Sequence, residues 1–474
     1  MLFNSPSFLI FFLPTVLVLA FLLRRTPAQN AILFVASLLF YAWGELAYTL
    51  ILIGSIALNY AFGLWIDGTR DRPRQRWVLV LALSLNLSIL AYFKYANFVV
   101  DSLNTLLAPI GFSAIQVEPV HLPIGISFFT FQAMTYVVDV YRQNATVDRS
   151  PWRVGLYIAL FPQLIAGPIV RYRSVAAQLR ERRASPEDVA IGIRRFVVGL
   201  GKKVLIADQL ALTSDRIFAL PVAALDPAVA WLGVICFGLQ VYFDFSGYSD
   251  MAIGLGRIFG FHFPENFNAP FISRSLQEFW RRWHISLSGW FRDYLYVPIT
   301  AGRESARWGY FSLFVVFFLC GLWHGANWNF VAWGLVHGAF VALERTRFGD
   351  WLAGTWKPLA HGYTLLVVFI AFVFFRADDL AHALDFLAAM LGRSGAESAQ
   401  YPLALYADRE VGLWLAVGVG FSGAWMSAAR RQFRDRVGMA GFASLRVAAL
   451  ALVFLASSVS LVAGTNSPFV YFRF

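Results

Sequence analysis

The stretch FSLFVVFFLCGLWHGANW, residues 311–328, combines the two features that govern the rest of the chain. It starts as an almost wholly apolar run, Phe311–Leu319, and it ends in a more polar segment that carries His324. The run predicts a membrane helix, because a helix satisfies its own backbone hydrogen bonds inside lipid. A titratable side chain at the end of such a helix must be paired, solvated or used for chemistry.

Apolar runs of this kind recur along the whole chain. They are Phe8–Leu23, Ala31–Trp43, Leu46–Ile66, Val78–Phe93, Ile124–Tyr141, Trp231–Phe245, Phe311–Leu322, Phe330–Leu343, Tyr363–Phe375, Val411–Met426 and Leu445–Val462. Hydrophobic residues make up 58% of the chain and charged residues 14%, against about 25% charged in soluble domains. Several runs are shorter than the roughly 20 residues of a straight span, so tilted or broken helices are expected.

These runs predict an all-α, polytopic integral membrane protein with roughly eleven transmembrane helices and additional re-entrant and interfacial helices. No repeat, low-complexity linker or soluble domain interrupts them, so residues 1–474 are predicted to form a single integrated membrane domain. The opening residues lack the charged front and cleavage site of a signal peptide, and we expect the first run to be retained.

The formal net charge of +11 comes from basic residues that lie between the apolar runs. They follow the first, third and fifth runs and precede the last one, whereas residues 101–120 contain no lysine or arginine. This distribution is typical of cytoplasmic loops, and it predicts that both termini lie outside. The lipid bilayer is therefore the expected partner of the basic residues, and nucleic acid is not.

Residues 156–169 are apolar but short, and Pro162, Gly167 and Pro168 interrupt them between two basic stretches. If this segment crossed the membrane, the arginines that follow it would lie on the wrong side, so a re-entrant segment is favoured. Irregular backbone at membrane depth needs protein or a water-filled cavity around it. Residues 185–188, Ser-Pro-Glu-Asp, then predict the start of a cytoplasmic helix.

Polar side chains are concentrated in the apolar segment that begins at Gln240. Tyr242 and Asp244 follow Gln240, and acids in such surroundings are costly unless they face a cavity or a bundle interior. The segment predicts either a polar wall around a reaction chamber or a structural network that ties Asp244 to a tyrosine or arginine. Further along, Ser273–Trp290 is predicted to be one amphipathic helix with Trp280 and His284 on the same face.

His324 is the strongest candidate for a catalytic residue. Gly321 and Gly325 flank it, which allows close backbone approach or a helix break. A neutral imidazole accepts a proton from a hydroxyl near pH 7 and so suits a general base. The seven histidines show no metal-ligand spacing, and phosphate-binding and dinucleotide motifs do not occur, so neither a metal nor a nucleotide cofactor is predicted.

At these residues the chain resembles the membrane-bound O-acyltransferase family, and within it the bacterial polysaccharide branch that includes the alginate O-acetyltransferase membrane subunit. The matching stretches are Met1–Pro14, Leu122–Arg142, Phe161–Tyr172, Tyr242–Leu295, Gly321–Gly338, Phe375–Ala377 and Ser467–Phe474. The Arg-Arg-Trp-His and Trp-His-Gly segments, forty residues apart, are the most specific of these.

The resemblance implies that His324 is the catalytic histidine and His284 the second histidine of the active site. In the mechanism that we expect, His324 takes the proton from an acceptor hydroxyl, and His284 either orients the acceptor or donates a hydrogen bond to the oxyanion. Around them, Gln240, Tyr242, Asp244, Trp323 and Asn327 are the candidate residues of the substrate chamber. The resemblance also implies a central tunnel through the bacterial inner membrane. In such a membrane the termini that the basic residues predict to lie outside would be periplasmic. No cofactor would be bound permanently. An acyl thioester, acetyl-CoA or acyl-carrier phosphopantetheine, would serve as co-substrate.

The activity implied is O-acetylation of an exopolysaccharide such as alginate, completed by a periplasmic acetyltransferase partner. The alternative is a proton-coupled transporter or channel that uses the same buried histidines and acids. Inverted-repeat hydropathy, which would favour a transporter, is not evident in the chain.

Overall fold

The regular elements of the protein are helices throughout the part of the chain that the structure describes. The structure is a computed structural model, and it describes residues 1–23, 28–303, 305–393, 401–423, 425–464 and 469. The prediction of an all-α, multi-pass membrane protein is confirmed. The chain forms two compact units, residues 1–196 with 251–264, and residues 197–250 with 265–474. This division does not test the prediction that residues 1–474 form a single integrated membrane domain, which stays a prediction.

The first unit contains α1 to α8. They are α1 (Leu13–Leu22), α2 (Ala28–Ala42), α3 (Thr49–Gly68), α4 (Gln75–Leu107), α5 (Ile126–Tyr141), α6 (Pro151–Ala159), α7 (Phe161–Leu164) and α8 (Tyr172–Arg180). A π-helical segment, Ser7–Phe12, leads into α1. Two longer helices, α9 (Pro186–Gly201) and α11 (Pro227–Ile258), contribute residues to both units.

The second unit contains the remaining helices. They are α10 (Asp208–Phe218), α12 (Leu276–Arg282), α13 (Ile285–Phe291), α14 (Val297–Thr300), α15 (Ala306–His324), α16 (Trp328–Leu343), α17 (Arg347–Gly354), α18 (Lys357–Arg376), α19 (Leu380–Met390), α20 (Arg409–Ser422) and α21 (Trp425–Val462). Positive φ at Gly438 kinks α21. Two π-helical segments, Lys202–Ala207 and Arg292–Tyr296, lie within this unit.

Six helices in the described residues are long and apolar enough to cross a membrane. They are Thr49–Gly68, Gln75–Ile110, Pro227–Ile258, Ala306–His324, Lys357–Arg376 and Gly438–Val462. Four apolar helices are shorter: Ser7–Leu22, Ala28–Ala42, Trp328–Leu343 and Leu380–Met390. The predicted number of about eleven crossings therefore stays a prediction, as does the side of each terminus.

Helix α4 extends well beyond the apolar run that predicted it. The run ends at Phe93, but residues 94–107 contain neither proline nor glycine, and the helix continues to Leu107. It ends where Pro109 and Gly111, which has a φ of +79°, stop regular helix geometry. By contrast α5 follows its run closely, and all of its residues from Ile126 to Val140 are buried in the protein.

The segment predicted to be broken, residues 156–169, is broken in the structure. Helix α6 ends at Ala159, Leu160 is non-helical, and the single turn of α7 follows, with every residue of the segment buried. Buried surroundings are the condition under which irregular backbone is tolerated at membrane depth. The re-entrant path itself stays a prediction. The predicted start of α9 is confirmed, with Pro186 as its first residue and Glu187 and Asp188 in its first turn.

The interior of the first unit contains polar side chains between membrane helices. Asn59 of α3 and Asn86 of α4 exchange two side-chain hydrogen bonds, at 3.0 and 2.9 Å, and both are buried. Reciprocal amide bonds of this kind link helices inside lipid, where hydrophobic burial contributes little to helix association.

Candidate active site

The α15–α16 hairpin determines where His324 lies. His324 is the last residue of α15, Gly325 is extended, and α16 begins three residues later at Trp328. A Cβ atom on Gly325 would overlap the Phe330 ring, and one on Gly321 would overlap the Phe330 carbonyl oxygen. The close approach and the helix end predicted from these glycines are both present. Together they place His324 at the turn between α15 and α16.

Aromatic rings surround His324. Its imidazole centroid lies 4.8 Å from Trp333, 5.3 Å from Phe375 and 5.0 Å from Trp323, and only 5% of the residue is exposed. Trp333 and Phe375 come from α16 and α18 and also contact each other, with centroids 5.3 Å apart. The rings limit the imidazole to a narrow range of orientations and keep bulk water away from it, as a general base in a reaction chamber requires.

The single helix predicted for Ser273–Trp290 is wrong. Helix α12 ends at Arg282, α13 begins at Ile285, and His284 between them has φ +42° and ψ +52°. A non-glycine residue in this left-handed region costs of order 1–3 kcal/mol and is found preferentially at functional sites. The break also means that Trp280 and His284 do not share a helix face.

Asn266, which sequence reasoning did not single out, holds this break together. Its backbone oxygen accepts from the Ile285 N–H at 3.0 Å, and its Oδ1 accepts from the Ser286 N–H at 3.2 Å and the Ser286 hydroxyl at 2.9 Å. On its other side, Nδ2 donates to the Ser249 hydroxyl at 3.0 Å. Asn266 is buried, so these bonds are shielded from water.

The same amide oxygen determines the tautomer of His284. The Nδ1 of His284 lies 3.1 Å from Asn266 Oδ1. Since this oxygen already accepts the Ser286 backbone N–H, it is an acceptor toward His284 too, and Nδ1 must be the donor. A neutral His284 therefore carries its lone pair on Nε2, where it can accept an N–H or O–H.

The two predicted catalytic histidines lie next to each other. Their ring centroids are 6.3 Å apart, and His284 is fully buried. Trp323 borders both of them, with centroids 6.0 Å from His284 and 5.0 Å from His324, and Phe245 packs edge-on against His284 at 4.6 Å. Three of the predicted site residues, His284, His324 and Trp323, are thus brought together, and their roles stay predictions.

Asp244 lies in a buried ion-pair cluster. Its carboxylate is 2.6 Å from Lys203 Nζ, which also lies 2.8 Å from Asp208, and all three side chains are at most 2% exposed. Of the two interpretations of this acid, the contacts correspond to a structural network, although through a lysine rather than a tyrosine or arginine. Phe245, the next residue, carries the contact with His284.

The other predicted chamber residues lie in different surroundings. The ring of Tyr242 packs against Phe271 at 5.2 Å and Phe267 at 5.9 Å. Gln240 is buried, and its Oε1 accepts no hydrogen bond from the described residues. Asn327 donates to the Asp378 carbonyl at 3.1 Å, which ties the α15–α16 turn to the end of α18. Their place in a chamber stays a prediction.

A third buried histidine, His337, lies near the pair and was not selected from the sequence. It is one helical turn after Trp333 on α16, with centroids 5.0 Å apart, and its ring is 5.1 Å from that of Trp280. Trp333 therefore separates His337 from His324. Within the described residues, no three His, Cys, Asp or Glu side chains lie close enough to hold a metal ion.

A histidine pair enclosed by aromatic rings in a multi-pass helical protein is the arrangement expected of a membrane acyltransferase. The chain matches the MBOAT, membrane-bound O-acyltransferase family over residues 64–374, and it belongs to that family. The protein is therefore an O-acyltransferase. This membership favours the enzyme over the transporter or channel that the buried acids and histidines had left open.

The chain is also similar to individual bacterial proteins of this kind. The chain is 39% identical to the probable alginate O-acetylase AlgI of Pseudomonas putida over the whole of both chains. It is 44% identical to the probable alginate O-acetylase AlgI of Pseudomonas aeruginosa over 82% of this chain and 75% of that protein. It is also 36% identical to the peptidoglycan O-acetyltransferase of Helicobacter pylori over 83% of this chain and 80% of that protein.

Proposed function

We propose that the protein transfers acetyl groups from a cytoplasmic thioester across the bacterial inner membrane for O-acetylation of an exopolysaccharide such as alginate. The observation that carries the proposal is the buried histidine pair, with ring centroids 6.3 Å apart, in an O-acyltransferase chain. The donor is acetyl-CoA or an acetylated phosphopantetheine arm, used as a co-substrate. The relatives that are named alginate O-acetylase support the choice of acetyl group and polysaccharide.

In the proposed mechanism His324 is the general base. It removes the proton from an acceptor hydroxyl, whose oxygen attacks the thioester carbonyl. The tetrahedral intermediate then collapses, the carbon–sulfur bond breaks, and the imidazolium of His324 returns the proton to the leaving thiolate. A new ester and a free thiol result, so no oxidant, metal or further cofactor is needed.

His284 acts beside it as an orienting group. Because its Nδ1–H is committed to Asn266, the neutral ring can only accept a hydrogen bond at Nε2. It is thus suited to hold an N–H or O–H group of a substrate rather than to donate to the oxyanion. The contacts of Asn266 hold His284 in its left-handed backbone conformation despite the strain, and they thereby maintain this orientation.

The test compares His324→Gln with His361→Gln in membranes containing equal amounts of each variant. His361 is half-buried, and its Nδ1 lies 3.1 Å from the Ser273 carbonyl oxygen, but it has no contact with the His284–His324 pair. Loss of a positioned base lowers rates by about 10²–10⁴-fold. We expect a loss of that size in labelled acetyl transfer for His324→Gln and near-normal transfer for His361→Gln. Equal activities would refute the assignment of His324.

We also propose that a periplasmic acetyltransferase completes the transfer, with both termini of this chain on the periplasmic side. The basic loops between the apolar runs support this topology. Two acetyl donors, acetyl-CoA and an acetylated carrier protein, can be supplied separately to inside-out membrane vesicles. Transfer to polymer only when the periplasmic partner is co-expressed would support a relay. Transfer at the same rate without the partner would contradict it.

A further inference from the structure

The first unit contains a cleft to which the proposed acyl transfer assigns no role. It has a volume of about 300 Å³ and lies between the end of α1, the start of α9 and the end of α11. Arg182 and Arg183 form its basic side, and Gln29, Phe21 and Phe259 contribute to its other walls. All of these residues belong to the same unit.

Arg182 is largely buried and has only neutral partners. Its Nε donates to the Phe259 carbonyl oxygen at 3.0 Å, and its Nη1 donates to the Asn30 side chain and, at 3.4 Å, to the Gln178 carbonyl oxygen. The guanidinium lies 4.2 Å above the Phe261 ring. Its Nη2 is buried and has no hydrogen-bond partner among the residues that the structure describes. The guanidinium is thus held in a fixed position, but no contact within the described part of the chain neutralises its charge.

Nearby acids do not supply the missing negative charge. Asp188, an acid in the first turn of α9, accepts from Ser185 and pairs with Arg257 at 2.8 Å. These two partners lower the pKa of Asp188 to about 2, so its charge is already committed to them at neutral pH. Glu181 and Glu187 do not line the cleft. Burial lowers the pKa of Arg182 to about 10, which still leaves it protonated at neutral pH.

A buried, uncompensated guanidinium beside a second arginine is a recognisable site for an anion. Arginine binds phosphate oxygens through its fork of N–H donors, and such charge-assisted bonds are about twice as strong as neutral ones. A group in the cleft would also contact exposed Arg183. Arg182 lines the cleft as well, so a group bound there would lie beside two guanidinium groups.

The apolar wall indicates where the phosphate comes from. Phe21 and Ala20 belong to the last turns of the apolar helix Ser7–Leu22, and Phe21 is exposed. A cationic site at the end of an apolar helix is at the level where lipid headgroups lie. We propose that this cleft is a phosphate-binding site with Arg182 and Arg183 as its cationic ligands, supplied by the headgroup of an anionic phospholipid. The proposal is independent of the acyl-transfer chemistry.

The test measures thermal unfolding of the full-length purified protein with three probes. They are short-chain phosphatidylglycerol, phosphatidylcholine with the same chains, and sodium pyrophosphate at matched ionic strength. A basic residue near the membrane surface contributes about 1 kcal/mol to binding of an anionic lipid, or about fivefold in affinity. We expect stabilisation by phosphatidylglycerol, about fivefold weaker binding in Arg183→Gln, and no saturable binding in Arg182→Gln.

Two further variants keep the result interpretable. Arg149→Gln removes the same charge from an exposed arginine outside the cleft, and it should bind like the wild type. Arg182→Lys retains the charge and should bind more tightly than Arg182→Gln. If Arg182→Gln does not fold, the comparison of Arg183→Gln with Arg149→Gln tests the proposal instead. Both of these side chains are exposed, so neither substitution should prevent folding.

Three outcomes would overturn the proposal: equal stabilisation by phosphatidylcholine, equal binding by all variants, or a loss in Arg149→Gln as large as in Arg183→Gln. If pyrophosphate binds as tightly as the lipid, and the Arg182→Gln and Arg183→Gln variants both bind it more weakly, the cleft is still a phosphate site. Its ligand would then be a soluble phosphate ester rather than a lipid headgroup. Acetyl-transfer activity is not the readout, so the failure of this proposal and that of the proposed function are separable.

Discussion

Replacing Asn266 with alanine should impair acyl transfer although Asn266 itself makes no proposed contact with the reacting atoms. The substitution removes the amide oxygen that accepts from His284 Nδ1–H and from both donors of Ser286. The backbone bond from Ile285 remains, since it uses the main-chain oxygen. What is lost is therefore the support of the left-handed turn rather than the path of the chain.

The magnitude follows from the donors that lose their acceptor. Each buried donor without a partner costs about 1–3 kcal/mol, and the Ser286 N–H and the His284 Nδ1–H are both buried. A destabilisation of about 2–6 kcal/mol is expected if both remain unsatisfied. His284 can avoid part of this penalty by moving its proton to Nε2, but that tautomer loses the acceptor proposed to hold the substrate. We expect acetyl transfer to fall by about 10–100-fold, because a misplacement of an active-site group by about 1 Å can lower a rate by up to about 100-fold.

The assay is labelled acetyl transfer in membranes, normalised to the amount of folded protein, together with thermal unfolding in detergent. Asn268→Ala is the matched control, because Asn268 is exposed and its hydrogen bonds with Arg282 use backbone atoms of Asn268. Ser249→Ala removes the acceptor of Asn266 Nδ2, so it should destabilise the protein by about 1–3 kcal/mol but leave acetyl transfer per folded molecule close to that of the wild type. The reasoning is refuted if Asn266→Ala retains wild-type transfer per folded molecule, or if Asn268→Ala loses as much.

Two other perturbations have defined outcomes. His284→Gly and His284→Ala remove the same imidazole, but only glycine adopts a φ of +42° at little cost. The glycine variant should therefore be more stable than the alanine variant by about 1 kcal/mol, seen as a higher temperature of thermal unfolding. Identical unfolding temperatures would argue against backbone strain at this position. Lys203→Met removes the cation from the buried carboxylates of Asp208 and Asp244 and should destabilise by about 3–5 kcal/mol, seen as loss of folded protein from the membrane. Its control, Lys202→Met, breaks a partly exposed pair with Asp250 and should change the folded amount little; equal losses in both variants would contradict the argument.

The contacts of His284 refine its proposed role beyond the resemblance. The family likeness alone allows the second histidine to orient the acceptor or to donate to an oxyanion. The bond from His284 Nδ1 to Asn266 favours the first, because the neutral ring then has no N–H on its other nitrogen. The Asn266 and His284 variants above test this directly.

Much of the architecture was accessible from local sequence. Apolar runs predicted the helices because burial in lipid depends on composition over some twenty residues, a local property. The end of α15 at His324 was indicated by Gly321 and Gly325, whose lack of a side chain permits the contact with Phe330. The Ser-Pro-Glu-Asp start of α9 was likewise predicted from capping preferences.

The break at His284 could not be predicted in this way. Residues 275–288 contain neither proline nor glycine, and their apolar spacing is that of one amphipathic helix. The amide that stabilises the break comes from Asn266, eighteen residues earlier, and its own anchor is Ser249 on a different helix. Similarly, the lysine that pairs with Asp244 lies forty-one residues before it, and no local pattern relates the two. Helix formation and membrane burial follow from neighbouring residues in the sequence. The position and tautomer of His284 and the ion pairing of Asp244 depend instead on contacts between segments that only folding brings together.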